Sequence, residues 1–204
     1  MQSPATITDR SCGPSGCETD WLSSRRHEVD LDVVSFGAYA EALGWGDGLP
    51  LIPPTEERVQ QHIVAGQRYP DETIAILPPL RSEATAEKIA INAVMAGAPA
   101  AAMPLIYAAI EAMADPDFDL AGLNATTGSV VPAVIVNGPI RHRLGIPYGA
   151  GLFGGVEGSA PGIGRAIRLA MRNIAQIIKI ATKSQTPNAA PCVSAFSRML
   201  ASSW

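Results

Sequence analysis

Two of the three cysteines in this 204-residue chain stand at the ends of one short polar loop. Cys12 and Cys17 enclose the sequence GPSG, which favours a tight turn. Such a turn can bring two sulfur atoms within disulfide distance, with Cα atoms about 5.5 Å apart. The pair could be a redox couple or a thiol nucleophile with its resolving partner. It could also ligate a metal or cluster completed by Cys192, His27 or a partner chain, or be two exposed thiols on an arm.

A glycine-rich stretch over residues 149–164 leads into a predicted helix that carries Arg165 and Arg168. Glycines, among them Gly154 and Gly155, let a backbone approach a ligand and point N–H groups at it. The positive helix end and the two guanidinium groups would attract a carboxylate or phosphate. The stretch lacks the ending of a P-loop and the spacing of a dinucleotide-binding fingerprint. It predicts a small-anion site, unless it is a turn-rich loop with arginines on a solvated helix face.

Further polar residues stand where loops meet predicted helices and strands. Asp47 lies between two glycines, which makes it a rigidly held carboxylate. It could serve as a general acid or base, or it could hold the loop as an Asx turn. Asn92 lies among apolar residues of a predicted helix, so it either satisfies backbone groups or binds substrate. The candidates for neutral hydrogen bonds to a substrate are Thr126, Thr127, Asn137 and Gly138.

The composition excludes several classes of protein. Hydrophobic residues make up 47% of the chain and charged residues 17%, so most of it must be folded rather than disordered. The net charge of −4 argues against a nucleic-acid partner. Residues 93–114 are mostly apolar, but Gly97, Pro99 and Pro104 interrupt them, which predicts two buried helices rather than a membrane span. Residues 1–10 lack the order of a signal peptide, so we expect a cytoplasmic protein with reduced thiols.

Predicted helices and strands alternate along the chain. The run VVPAVIV at residues 130–136 is typical of a strand buried on both faces, and a second strand is predicted over residues 72–77. We therefore expect an α/β fold, a layered sheet with partly parallel strands and flanking helices. The expected helices cover residues 35–43, 55–65, 85–95, 100–113 and 163–181. The expected divisions are an extended N-terminal arm with the cysteine loop over residues 1–30, an α/β domain over 31–183 and a C-terminal tail over 184–204.

Four groups of motifs suggest common descent with a known family: GDGLP with PPT at residues 46–55, EKIAINAVMAG at 87–97, VNGP at 136–139 and IGRAIRL at 163–169. Together they resemble a poorly characterised bacterial family associated with thiol and selenol proteins of the UGSC motif. The resemblance covers residues 46–173 and implies an enzyme subunit. Longer family members continue past the arginine-bearing helix, so we expect a second polypeptide to supply that part. Because CGPSGC differs from the UGSC spacing, selenol-type redox chemistry does not carry over.

The sequence thus predicts an enzyme, or a subunit of one, that acts on a small anionic substrate. Arg165 and Arg168 would hold the anion with the glycine-rich stretch, and Asp47 would act as acid or base. Cys12 and Cys17 would supply thiol chemistry or hold a metal ion, which suits a lyase or an oxidoreductase. The alternatives are a metal-dependent lyase or hydrolase, and a non-catalytic partner subunit of a hetero-oligomeric enzyme. We expect a homo- or hetero-oligomer without nucleic-acid or membrane partners.

Overall fold

The computed structural model describes residues 21–125, 131–149 and 158–175, and helices predominate in these ranges. The α-helices are α1 (Val33–Ala42), α2 (Glu56–Gly66), α3 (Ala86–Ala96), α4 (Met103–Met113), α5 (Leu120–Ala125), α6 (Pro139–Arg143) and α7 (Ala160–Ile174). The strands are β1 (Thr73–Leu77) and β2 (Ser82–Thr85), and 3₁₀ turns cover Ala100–Ala102 and Pro116–Phe118. The described part of the chain is therefore a mixed helical and β structure.

Local chemistry sets where the helices begin and end. The Asp32 side chain accepts two hydrogen bonds from backbone N–H groups in the first turn of α1. Thr85 caps α3 by accepting from the Lys88 N–H at 3.4 Å, as its position in the sequence predicts. Gly97 ends α3 with a φ of +75°, a conformation that favours glycine. The apolar residues 93–114 therefore divide between α3 and α4, and no helix in the described ranges is long and apolar enough to cross a membrane.

Helix α3 lies at the centre of the core and packs against α2, α4 and α7. Small side chains let α3 and α7 approach closely, and five fully buried alanines lie on these two helices: Ala86, Ala90, Ala93, Ala166 and Ala170. A Cβ atom on Gly162 would lie 3.0 Å from the Gly97 carbonyl oxygen, so this contact leaves little room. Packing against α3 thus fixes the position of α7, which carries Arg165 and Asn173.

The observed sheet differs from the expected one. β1 and β2 form a two-stranded antiparallel pair, and parallel strands are not formed within the described ranges. Residues 131–136, which belong to the buried strand predicted over residues 130–136, form no strand. Val131, Val134 and Ile135 are 40%, 43% and 86% exposed. An apolar run becomes a buried strand only where neighbouring strands pair with its backbone, and the described residues place none beside it.

Candidate functional site

A cavity of about 700 Å³ opens beside α3. Five parts of the chain line it: residues 22–31, α1, residues 45–59, α3 and Asn173 near the end of α7. Its volume lies within the range typical of small-molecule sites. Since its lining combines apolar, aromatic and charged side chains, the cavity is the candidate functional site.

Three aromatic side chains form one wall of the cavity, here called the aromatic wall: His27, Tyr39 and Trp45. The His27 ring meets the Trp45 ring edge to face, with 5.2 Å between centroids. His27 Nδ1 lies 2.7 Å from the Tyr39 hydroxyl oxygen, so one of these groups donates to the other. The wall can therefore contact a flat apolar surface of a ligand and exchange hydrogen bonds with it.

Two asparagine side chains connect the cavity to the core. Asn173 Nδ2 donates to Asn92 Oδ1 at 2.7 Å and to the Trp45 carbonyl at 3.1 Å. Asn92 Nδ2 in turn donates to the Lys88 carbonyl at 2.8 Å. Asn92, a predicted substrate-binding residue, thus lines the cavity while both its polar atoms have protein partners. Asn173 Oδ1 is buried and has no hydrogen-bond partner among the described residues.

A buried carboxylate lies at one edge of the cavity. Glu87 is 1% exposed, and its oxygens accept from Ser23 N at 3.0 Å, Ser23 Oγ at 2.9 Å and Ser24 N at 2.9 Å. Burial by itself raises the pKa of Glu87, but the hydrogen bonds from the two serines outweigh it and lower that pKa. Glu87 is therefore ionised at neutral pH, and its charge is balanced by hydrogen bonds.

Two arginines of the lining differ in their surroundings. The Arg26 guanidinium forms an ion pair with Glu56 at the start of α2. Arg25 is exposed and forms no ion pair or hydrogen bond with any residue that the structure describes. The lining also contains the carboxylate of Glu28. Arg25 is thus the cavity cation that can bind an anion without first leaving a described partner.

Asp47 and Arg165, which the sequence assigns separate roles, contact each other. Arg165 Nε donates to Asp47 Oδ2 and its Nη2 to Oδ1, both at 2.8 Å, while Nη2 also reaches the Leu49 carbonyl at 3.2 Å. Asp47 Oδ1 accepts from the Leu49 N–H, so it also forms the Asx turn that the sequence allows. Burial raises the pKa of Asp47, yet the hydrogen bonds and charge of Arg165 outweigh it and lower that pKa. A carboxylate held in this way is a weak base.

The other predicted site residues are distributed over the chain. Arg168 is half-buried, and burial together with the nearby Arg172 charge lowers its pKa. Asn137 and Gly138 are exposed where α6 begins, and they do not line the cavity. Outside the described residues lie Cys12, Cys17, Thr126, Thr127, Gly154 and Gly155.

Residues 144–145 contact residues 158–159, and these four residues are here called the stem. The Ser159 N–H and Oγ both donate to the Leu144 carbonyl. A Cβ atom on Gly158, which has a φ of +92°, would overlap the carbonyl oxygen of Gly145. The stem lies directly before α7, which begins at Ala160.

Sequence reasoning missed most of the cavity residues. Glu87 alone carries a visible signal, because it is an acid among the apolar residues of α3. Tyr39, Trp45 and Asn173 carry none, and the sequence names His27 only as a possible metal ligand. Four separate segments bring these residues together. A polar residue in a loop or on a helix face is ordinarily solvated.

Comparisons with protein-family models, curated proteins and solved structures found no match for this chain. Within the described ranges, no group of three or more His, Cys, Asp or Glu side chains could hold a metal ion. The functional assignment rests on the cavity and its chemistry.

Proposed function

We propose that this chain is an enzyme, or a subunit of one, that binds a small anionic molecule in the cavity beside α3. Arg25 carries the proposal, because it lines the cavity and has no partner among the described residues. Arg26 is paired with Glu56, and the charge of Glu87 is balanced by serine donors. A guanidinium group binds a carboxylate or a phosphate through two parallel hydrogen bonds.

The aromatic wall narrows the class of ligand. His27, Tyr39 and Trp45 offer ring edges and faces, so a ligand with a flat or apolar part next to its anionic group fits best. The hydrogen bond between His27 and Tyr39 also supplies a pair that can give or accept a proton. We therefore assign anion binding to Arg25 and proton transfer to His27 with Tyr39.

The thiols of Cys12 and Cys17 are the reactive groups that we assign to the same site. Cys17 precedes Leu22, the first residue of the cavity lining, by five positions. An extended chain spans at most about 3.6 Å per residue, so a five-residue separation corresponds to a reach of at most about 18 Å. This tether supports a role for the thiols as a redox pair, a nucleophile or metal ligands at the cavity.

Arg25→Ala should weaken anion binding about tenfold to a hundredfold. Hydrogen bonds to charged groups contribute about 1.5–3 kcal/mol, which corresponds to that change in affinity. Binding of benzoate and of inorganic phosphate would be followed by the fluorescence of Trp45, in a background where Trp21 and Trp204 are phenylalanine.

Arg143→Ala is the matched control, because Arg143 is exposed on α6 and does not line the cavity. It removes the same charge and should leave both affinities unchanged. If Arg25→Ala and Arg143→Ala weaken binding equally, anion binding depends on the net charge of the protein and not on this cavity. If neither probe binds the wild-type protein, the proposed anion site is wrong.

A second candidate function is a partner subunit without its own activity. The observation that favours it is the exposure of Val131, Val134 and Ile135, which pair with no strand in the described part of the chain. A strand contributed by another copy of this chain would cover their side chains and pair with their backbone. In such an assembly, residues 131–136 would form part of the layered, partly parallel sheet that the sequence predicts.

Ile135→Asp should reduce self-association, since it places a charge in the middle of this apolar run. Light scattering coupled to gel filtration would show an oligomer for the wild-type protein and a monomer for the variant. Leu80→Asp adds the same charge at another exposed apolar position, 53% exposed, and should leave the oligomer intact. A wild-type monomer would exclude self-association through this segment.

A further inference from the structure

The segment that covers the cavity is held in an unusual way. Residues 22–31, here called the strap, form neither helix nor strand and supply much of the lining. In the described part of the structure, no backbone–backbone hydrogen bond joins the strap to another segment. The side chains of other elements therefore hold it in place.

Both ends of the strap are firmly anchored. At its start, Leu22 is buried in the core, and Ser23 and Ser24 give three hydrogen bonds to the buried Glu87 carboxylate. At its end, Asp32 caps the first turn of α1. Removing Glu87 from its donors would leave a buried charge unsatisfied, so the first anchor resists opening.

The middle part of the strap, residues 25–31, is mostly exposed, and Val29 is the residue of this part that packs half-buried against the core. The side chains of its ion pair, Arg26 and Glu56, are 50% and 56% exposed, and the hydrogen bond between His27 and Tyr39 is also exposed. Leu31 is 61% exposed. Segments with few buried contacts and unpaired backbone groups open at the lowest free energy.

We propose that the middle part of the strap is a gate over the cavity, and that the Arg26–Glu56 ion pair is one of the contacts that break when it opens. The serines on Glu87 and the α1 cap act as its two fixed ends. Opening separates His27 from Trp45 and admits a ligand, and closing covers the ligand again. Arg25 lies on the gate, so an anion bound to it moves with the gate toward Tyr39 and Trp45. The gate rests on the proposed function, because it assumes that the cavity takes a ligand.

Quenching of Trp45 fluorescence by acrylamide measures the opening directly. Trp21 and Trp204 are replaced by phenylalanine, so that Trp45 is the one emitting tryptophan. Glu56→Ala should raise the quenching constant by up to about fivefold, the shift that an exposed ion pair can give an equilibrium. High salt should raise the constant in the parent protein and raise it less in Glu56→Ala, because this variant lacks one of the ion pairs that salt screens.

Glu57→Ala is the matched control. Glu57 is also an acid in the first turn of α2, so both substitutions change the helix terminus alike, but Glu57 contacts Gln61 rather than the strap. It should behave as the parent protein does at low and high salt. Equal quenching in all three proteins, at both salt concentrations, would show that residues 25–31 are a fixed wall and would overturn the gate. Acrylamide is neutral, so this result is independent of whether benzoate or phosphate binds.

Discussion

Asp47→Ala is expected to lower the free energy of unfolding by about 2–3 kcal/mol. The substitution leaves the Arg165 guanidinium, whose side chain is 19% exposed, without its bidentate partner. Removing one member of a buried ion pair costs about 3–5 kcal/mol, and the residual exposure of this pair reduces that figure. The Asx turn at Leu49 is lost as well. Urea unfolding at neutral pH measures the change.

Three further variants show whether the lost unfolding free energy comes from the Asp47–Arg165 ion pair. Arg165→Ala should cost about as much as Asp47→Ala, and the double variant should cost clearly less than the sum. Asp71→Ala removes an exposed aspartate and should change the unfolding free energy by less than about 0.5 kcal/mol. Fully additive losses in the double variant would mean that Asp47 and Arg165 stabilise the fold independently.

The contribution of Asp47 to the unfolding free energy depends on pH in a defined direction. Because the pKa of Asp47 is lowered in the folded state, its contribution to stability is present above the unfolded carboxyl pKa and disappears as pH falls through the folded value. The difference in unfolding free energy between the wild-type protein and Asp47→Ala should therefore be constant from neutral pH down to the ordinary aspartate pKa of 3.8, and it should shrink as the pH falls further.

The pair also bears on the predicted anion-binding role of Arg165. An anion that binds this guanidinium must replace a carboxylate already held by two hydrogen bonds of 2.8 Å. Arg165 in the wild-type protein is thus engaged in joining the loop after Trp45 to α7. If phosphate raises the melting temperature of Asp47→Ala more than that of the wild-type protein, the site can take an anion once the pair is broken.

Sequence reasoning succeeded where structure depends on neighbours along the chain. Thr85 and Gly97 bound α3 because capping and left-handed backbone conformations are local properties. It failed for residues 131–136, because burial of a strand depends on partners that an apolar run does not specify. The expected parallel sheet rested on that strand.

In the candidate site, too, the features set by neighbouring residues were predictable and those set by distant residues were not. Asp47 was singled out correctly as a rigidly held carboxylate, but its partner Arg165 lies 118 residues away, and no spacing rule connects them. The cavity forms because the strap lies against α1 and α3. The burial of Leu22 and the hydrogen bonds from the strap serines to Glu87 hold it there. Neither the Asp47–Arg165 pair nor the cavity can be deduced before the packing of the helices is known.

Gly158→Ala should destabilise the start of α7 by about 3 kcal/mol. An L-residue in a left-handed conformation costs about 1–2 kcal/mol, and overpacking costs about 1–3 kcal/mol more. Both apply here, because Gly158 has a φ of +92° and its new Cβ would overlap the Gly145 carbonyl. Hydrogen exchange at the amides of α7 and the stem, together with urea unfolding, measures the loss.

Gly149→Ala separates the cost of the left-handed conformation from the cost of overpacking. Gly149 also has a positive φ, +72°, but a Cβ there meets no atom within 4 Å, so only the conformational cost of about 1–2 kcal/mol applies. Equal losses in the two variants would mean that the stem adjusts to the extra atom. A larger loss in Gly158→Ala would show that the Gly145–Gly158 contact holds the stem closed. In that case, any anion bound by residues 149–164 should bind more weakly to Gly158→Ala than to Gly149→Ala, while binding at Arg25 should be equal in both.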